Sequence, residues 1–202
     1  MAMEETGTGT REGRQTVPET DWRAGLKGWT GLLVKAAIVA LIAYQVVFQI
    51  SVVRLGSMKP AFEEWDKVLV DRLTYRLRDP RPGDVVIFEG FDAKRWKSAP
   101  QDFIKRVIAR PGEVVKVREN AVYVNGRRLA EPWLAEEFAE PGDWVKGEDY
   151  LVPPHCYFVL GDNRSQSRDS RRHAESLGFV HERQIKGVVR LRLWPLGRLA
   201  WF

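Results

Sequence analysis

The chain of 202 residues has one cysteine, Cys156, and three histidines, His155, His173 and His181. One thiol excludes an intrachain disulfide and any metal site built from several cysteines. Cys156 sits between His155 and Tyr157 in an apolar run, which predicts a buried small hydrophobe rather than a nucleophile or ligand. The histidines lack a ligand spacing such as His-Glu-x-x-His, which argues against a metallohydrolase, and no cofactor is implied. A Ser-His-Asp triad is left open by residue order, but the Gly-x-Ser-x-Gly elbow that often accompanies it is missing. Blocks of one charge are missing too. The 32 Lys and Arg are interleaved with 27 Asp and Glu, giving a net charge of +5. That pattern suits a solvated surface or attraction to anionic lipid headgroups, and it disfavours a nucleic-acid partner.

Long apolar runs are scarce as well: one stretch, Gly31 to Phe48, is greasy enough to enter a membrane. It carries a single charge, Lys35, and as a helix would run ~27 Å, enough to span. Lys35 can snorkel toward headgroups, and Trp22, Trp29 and Tyr44 are residues suited to an interface. No small-x-small cleavage site follows, because Gln49-Ile50-Ser51-Val52-Val53 is bulky, so the segment reads as a retained anchor. Arg23, Lys27 and Lys35 lie on the N-terminal side of the run, and Arg54 and Lys59 follow on the other; the closer basic cluster is the N-terminal one, which predicts the N-terminus inside the cell and the remainder outside. The expected organisation is a flexible tail over residues 1–28, a transmembrane helix over 29–50 and a β-rich domain outside the cell over 51–202. A chain of this length supports one such domain with a core of its own.

Short apolar runs separated by turn residues follow. Lys67–Val70, Val85–Phe88, Phe103–Ala109, Val114–Val117, Val122–Val124, Tyr157–Leu160 and Gly187–Leu193 read as strands. Breakers punctuate them at Asp79–Asp84 and Pro111-Gly112, and Asn125-Gly126 suits a type I′ hairpin. The fold class is therefore mainly β, with little helical periodicity beyond the anchor. Two polar, Trp-containing segments, 92–101 and 131–150, read as excursions from the sheet.

Three stretches carry potential chemistry. Ser57 lies in Leu55-Gly56-Ser57-Met58-Lys59-Pro60, a Gly-before, Pro-after turn just beyond the anchor. In Asp102-Phe103-Ile104-Lys105-Arg106-Val107-Ile108, strand alternation places Phe103 and Val107 on the face of Lys105. Desolvation among such neighbours lowers a lysine pKa and makes it a competent base, although from this run alone an edge lysine reaching solvent is the simpler reading. Finally, Gly161–Arg171 contains no aliphatic side chain but combines acids, arginines and hydroxyls, as a tightly bonded loop with bidentate Asp–Arg pairs would.

In combination and in order, these stretches resemble type I signal peptidases, the membrane-anchored Ser-Lys proteases. The likeness includes Ser57-Met58-Lys59-Pro60, Arg81 to Phe88, Ile104 to Glu113, Asn125-Gly126 with Glu131-Pro132-Trp133, Gly161 to Arg171, and Gly178-Phe179-Val180 ahead of Ile185-Lys186-Gly187. The resemblance implies coiled antiparallel sheets and an endopeptidase that removes signal peptides from exported preproteins, cutting after small residues. It implies Ser57 as nucleophile, Lys105 as general base and Ser167 as the hydroxyl that orients the lysine. Asp162, Arg164, Asp169 and Arg171 would support the loop. Partners would be preproteins and membrane lipid, near the secretion translocon, with the enzyme a monomer in the cell membrane.

The chain departs from the family at three places. Leu55 stands where the family usually has Ser or Gly, Ala61 where it usually has Thr, and Arg172–Leu177 are extra. Loss of a side-chain oxyanion donor costs about 10²–10³ in rate, so Leu55 keeps alive a second reading, a membrane-tethered protein that binds signal peptides with weak or no catalysis. The scissile segment would add as a strand between the residues before Ser57 and the strand of Lys105, with Val52 and Val53 as candidate walls against large side chains. Ordinary core packing explains those valines equally well. The aromatic C-terminus, with Trp194, Trp201 and Phe202, suits either a membrane interface or the end of a sheet. A self-cleaving repressor-type peptidase is disfavoured, because residues 1–50 offer no DNA-binding pattern.

Overall fold

A computed structural model describes residues 22–90, 100–118, 121–134, 149–171 and 177–202. The chain divides into two units, residues 1–42 and 43–202. Helix α1 runs Trp22–Val47 and strand β1 runs Phe48–Val52. The helix thus starts at Trp22, within the expected tail, and ends at Val47 rather than 50. The reason for the early stop is tertiary: Phe48, Gln49 and Ile50 pair with a neighbouring strand, which takes the backbone hydrogen bonds that a helix would have kept. The large apolar side chains described between Trp29 and Leu41 of α1 are exposed, Trp29, Leu33 and Val39 among them, and Val47 at its end is half-buried. Among the described residues, no helix is long and apolar enough to cross a membrane. The remainder of the tail, residues 1–21, lies outside the described residues.

The second unit is mainly β, as the short apolar runs predict. In chain order its strands are β2 (Lys67–Asp71), β3 (Val85–Gly90), β4 (Gln101–Ala109), β5 (Val114–Arg118), β6 (Ala121–Val124), β7 (Arg127–Arg128), β8 (Asp149–Leu151), β9 (Cys156–Leu160), β10 (Val180–His181), β11 (Ile185–Trp194) and β12 (Ala200–Trp201). One sheet has the order β1-β2-β11-β3-β4-β9-β10, with β12 paired to β11, and a second has the order β7-β6-β5-β8. Among the described residues every pairing is antiparallel. Asn125 and Gly126 have φ of 52° and 78°, the two positive values that a type I′ turn between β6 and β7 requires.

Strand β3 explains why its sequence reads as a continuous apolar run. Val85 and Ile87 enter a core cluster with Met58, Phe62, Val68 and Val189, whereas Val86 and Phe88 enter a cluster with Val107, Tyr157 and Val159. Both faces of Val85–Phe88 are covered, so these four positions are all apolar, and Glu89 follows where the strand becomes partly exposed. A third cluster lies with Ile108, Val115, Phe158 and Leu160, against which Cys156 packs half-buried rather than fully enclosed. The expected excursions shrink at their ends, since Gln101 belongs to β4 and residues 149–150 to β8; residues 91–99 and 135–148 lie outside the described residues. The small strands β1, β7, β8, β10 and β12 carry too few residues, or too mixed a pattern, to stand out by alternation.

Candidate active site

Ser57 sits in a single 3-10 turn, Gly56–Met58, that follows the extended residue Leu55. The turn is pinned from below: Met58 and Phe62 are fully buried, and the Phe62 N–H donates to the Met58 carbonyl at 2.9 Å. Upstream, Val53 exchanges backbone hydrogen bonds with Trp65 and Asp66 at 2.7 and 2.9 Å. Ser57 itself is buried. At the start of so short a turn its N–H has no acceptor inside the turn.

Lys105 arrives from the middle of β4, where its partner across the strand pair is Val86. It is 3% exposed, with Nζ 2.7 Å from Ser57 Oγ and donating to the Ile104 carbonyl at 2.8 Å. Desolvation by burial lowers its pKa from 10.5 to about 8; the charges of Asp169 and Asp162 oppose that fall and Arg171 assists it. A lysine so placed is substantially neutral in mildly alkaline solution and can accept the hydroxyl proton. The apolar neighbours, not an edge with access to water, decide its state.

The loop Gly161–Arg171 holds both groups. Asp169, fully buried, accepts the Gly161 N–H at 3.0 Å and pairs with Arg171 through two bonds of 2.7 and 2.9 Å. The Arg171 Nη2 also donates to the carbonyls of Arg164 and Ser167. Asp162 pairs with Arg106, the residue after Lys105, and not with an arginine of its own loop. Arg164 pairs instead with Glu131, outside the loop. The Asn163 N–H and Nδ2 donate to the carbonyls of Ser57 and Gly56 at 3.0 and 3.2 Å, tying the loop to the serine turn. Gly161 permits the approach: a Cβ there would lie 2.2 Å from Ser167 Oγ and 2.5 Å from the Ser57 carbonyl oxygen.

Ser57, Lys105 and the loop residues are therefore brought together, and Ser167 departs from expectation in detail. It is buried beside the site, but its Oγ has no hydrogen-bond partner among the described residues, so the bond to Lys105 is not made. Asn163, Gly161, Arg106 and Glu131 also contact the loop or the serine turn, beyond the residues singled out from the sequence. All four stand inside the quoted motifs, yet which partner each takes is not written in local spacing. A groove of ≈ 760 Å³ opens over the pair, lined by Val52, Val53, Leu55, Phe103 and Ile104 among others. Val53 is core and Val52 is partly exposed on the wall, so of the two candidate walls Val52 offers a contact surface. Leu55 is 63% exposed and lines the groove, and its side chain carries no polar atom.

Comparison with known proteins matches the family model "Signal peptidase, peptidase S26" over residues 26–194. The chain is 35% identical over 191 residues to a probable signal peptidase I-2 of Synechocystis, covering 95% of this chain and 82% of that one. It is 30% identical over 176 residues to signal peptidase I T of Bacillus subtilis, covering 85% and 86%. A solved signal peptidase I from Enterococcus faecalis is 32% identical, with a TM-score of 0.42 covering 55% of this chain and 97% of that one. With the family model spanning most of its length, this chain belongs to the signal peptidase family, peptidase S26.

Proposed function

We propose that the protein is a serine endopeptidase that removes signal peptides from exported preproteins, with Ser57 as nucleophile and Lys105 as general base. The observation that carries this reading is the 2.7 Å separation of Ser57 Oγ and Lys105 Nζ, in surroundings that lower the lysine pKa to about 8. Neutral Lys105 takes the proton of Ser57 as Oγ bonds to the scissile carbonyl carbon. Collapse of the tetrahedral adduct breaks the C–N bond, and the lysine passes its proton to the leaving amine. Water then enters, gives a proton to Lys105, attacks the acyl carbon and frees the acid, and the proton returns to Ser57. The Ser57 N–H is the candidate oxyanion donor, with no help from the aliphatic Leu55.

The substrate is read as a strand laid in the groove between Val52 and β4, its small side chains facing the wall that Val52 and Ile104 form. Membrane attachment is read from α1: one charge, Lys35, in the run Gly31–Phe48, with the N-terminus cytoplasmic and the catalytic unit extracytoplasmic as a monomer near the translocon. Exposed Trp65, Trp194, Leu196 and Trp201 on the catalytic unit favour a lipid surface beside it.

The test uses the purified full-length protein in detergent with an Ala-x-Ala signal-peptide substrate. Turnover by the native chain, lost in both Ser57→Ala and Lys105→Met with the circular dichroism spectrum unchanged, is the expected result. The groove bordered by Leu55 favours one rival, a signal-peptide binder without catalysis; binding of the peptide with no turnover by native protein and Ser57→Ala alike would establish it instead.

A further inference from the structure

After β11 the chain makes a 3-10 turn, Leu196–Arg198, and folds back as β12, which sets Ala200 opposite Arg192. The last residue completes the return, the Phe202 N–H donating to the Arg190 carbonyl at 3.0 Å. This brings three C-terminal side chains onto the segment just after Ser57. The Arg192 Nε donates to the Arg198 carbonyl at 2.5 Å, and its Nη1 donates to the Ala61 carbonyl. The Arg198 Nη2 reaches the Pro60 carbonyl at 3.4 Å. The Phe202 ring stacks on Phe62 at 4.3 Å, with the Arg192 guanidinium 6.0 and 5.7 Å from the two ring centres.

Asp66 joins these contacts. It is 2% exposed, accepts the Glu63 N–H at 2.9 Å, and has Arg192 and Arg198 nitrogens each 3.6 Å from its carboxylate. Its backbone carbonyl accepts the Val53 N–H. One buried residue thus collects the chain on both sides of the serine turn and fastens it to the C-terminus. Arginine suits the task, since a planar guanidinium presents several fixed donors to carbonyls and a carboxylate at once. Ala61 has no side chain able to fix the backbone at that point.

We propose that Arg192, Arg198 and Phe202 form a C-terminal brace that positions Ser57 against Lys105 by holding the carbonyls of Pro60 and Ala61 and the ring of Phe62. The inference rests on the reading of Ser57 as nucleophile. Asn163 holds the turn on one side and the brace holds it on the other, so loosening the brace displaces Oγ while leaving the groove walls and the lysine environment in place. The brace residues are positioning residues and touch no reacting atom.

The experiment measures kcat, KM and the pH profile of kcat/KM for full-length Arg198→Met, Phe202→Ala, Arg192→Gln and Arg192→Lys, with Ser57→Ala as control. A small misplacement of reacting groups costs of order ten- to a hundredfold, so kcat is expected to fall roughly tenfold in Arg198→Met and Phe202→Ala, with KM within about twofold of native and the acid limb of the profile unmoved. Arg192→Lys should recover part of what Arg192→Gln loses. If Arg192→Gln does not fold, the two milder variants decide. Native kcat in both of them, or a rise in KM alone, overturns the brace. Turnover surviving in Ser57→Ala overturns the nucleophile reading itself, whereas an inactive Ser57→Ala beside brace variants of native kcat overturns only the brace.

Discussion

Arg106 and Asp162, 56 positions apart in the chain, meet through two parallel hydrogen bonds of 2.9 and 2.6 Å, both side chains almost wholly buried. The pair ties the strand of the proposed base to the loop beneath the proposed nucleophile. A third Arg106 nitrogen donates to the Gly83 carbonyl at 2.9 Å, and the guanidinium lies 4.5 Å from the ring centre of Trp133.

Asp162→Asn leaves Arg106 buried and uncompensated, and breaking such a pair costs roughly 3–5 kcal/mol. Denaturant unfolding of the two proteins should show that loss. Because the Asp162 charge raises the Lys105 pKa, its removal should also move the acid limb of the pH–rate profile to lower pH in whatever fraction remains folded. An upward move would contradict the assigned electrostatics.

The pH–rate profile of the native enzyme should itself rise through an acid limb near pH 8, since Lys105 must lose its proton before it can act and its pKa is lowered to about 8. Peptide cleavage at fixed ionic strength between pH 6 and 10 measures it. Activity at pH 6 equal to that at pH 9 would exclude Lys105 as the titrating base.

Lysine burial should also be visible in stability. Between about pH 8 and 10.5 the unfolded chain holds more protons at Lys105 than the folded one, so native stability rises with pH across that window. Below it, the folded state bears the full cost of a desolvated ammonium, of order 3 kcal/mol. Lys105→Met lacks that cost. Its advantage over the native protein in urea midpoint should be largest near pH 7 and shrink toward pH 10.5; a constant difference would mean that the lysine is not desolvated.

Leu55→Ser places a hydroxyl two residues before the nucleophile. Should the oxyanion lack a side-chain donor, kcat is expected to rise by about tenfold or more, with little change in KM. Unaltered kcat would mean that another group already supplies the second hydrogen bond.

Gly161→Ala tests the close approach of loop and serine turn. The added methyl meets Ser167 Oγ at 2.2 Å and the Ser57 carbonyl at 2.5 Å, so the loop and the serine turn must move apart. Cleavage should fall at least tenfold, and the midpoint of thermal unfolding should drop. Native activity would show that the loop and the turn are not rigidly coupled.

Much of the fold is legible in local sequence. Alternation and breakers locate β2, β3, β4, β9 and β11, and Asn125-Gly126 announces its turn, because these signals act within a few residues. The boundary between α1 and β1 is not legible. Phe48–Ile50 follow the apolar run with no Gly or Pro to stop the helix, and only their pairing with Leu69, Val70 and Asp71 makes them a strand. The density of acids and arginines in 161–171 announces a bonded loop. It does not reveal that Asp162 reaches out to Arg106 and Arg164 to Glu131, while Asp169 and Arg171 pair with each other.

The residues by themselves determined the chemical inventory: a serine in a constrained turn, a lysine among apolar neighbours on a strand, a polar loop, and their order along a mainly β chain. Three-dimensional packing alone decided that the amine and hydroxyl meet at 2.7 Å, that Ser167 stands aside without bonding Lys105, and that the C-terminus closes on the serine turn. The division has a physical cause. Strand and turn preferences are set by neighbouring residues, whereas desolvation and the choice of an ionic partner depend on which distant segments exclude water together.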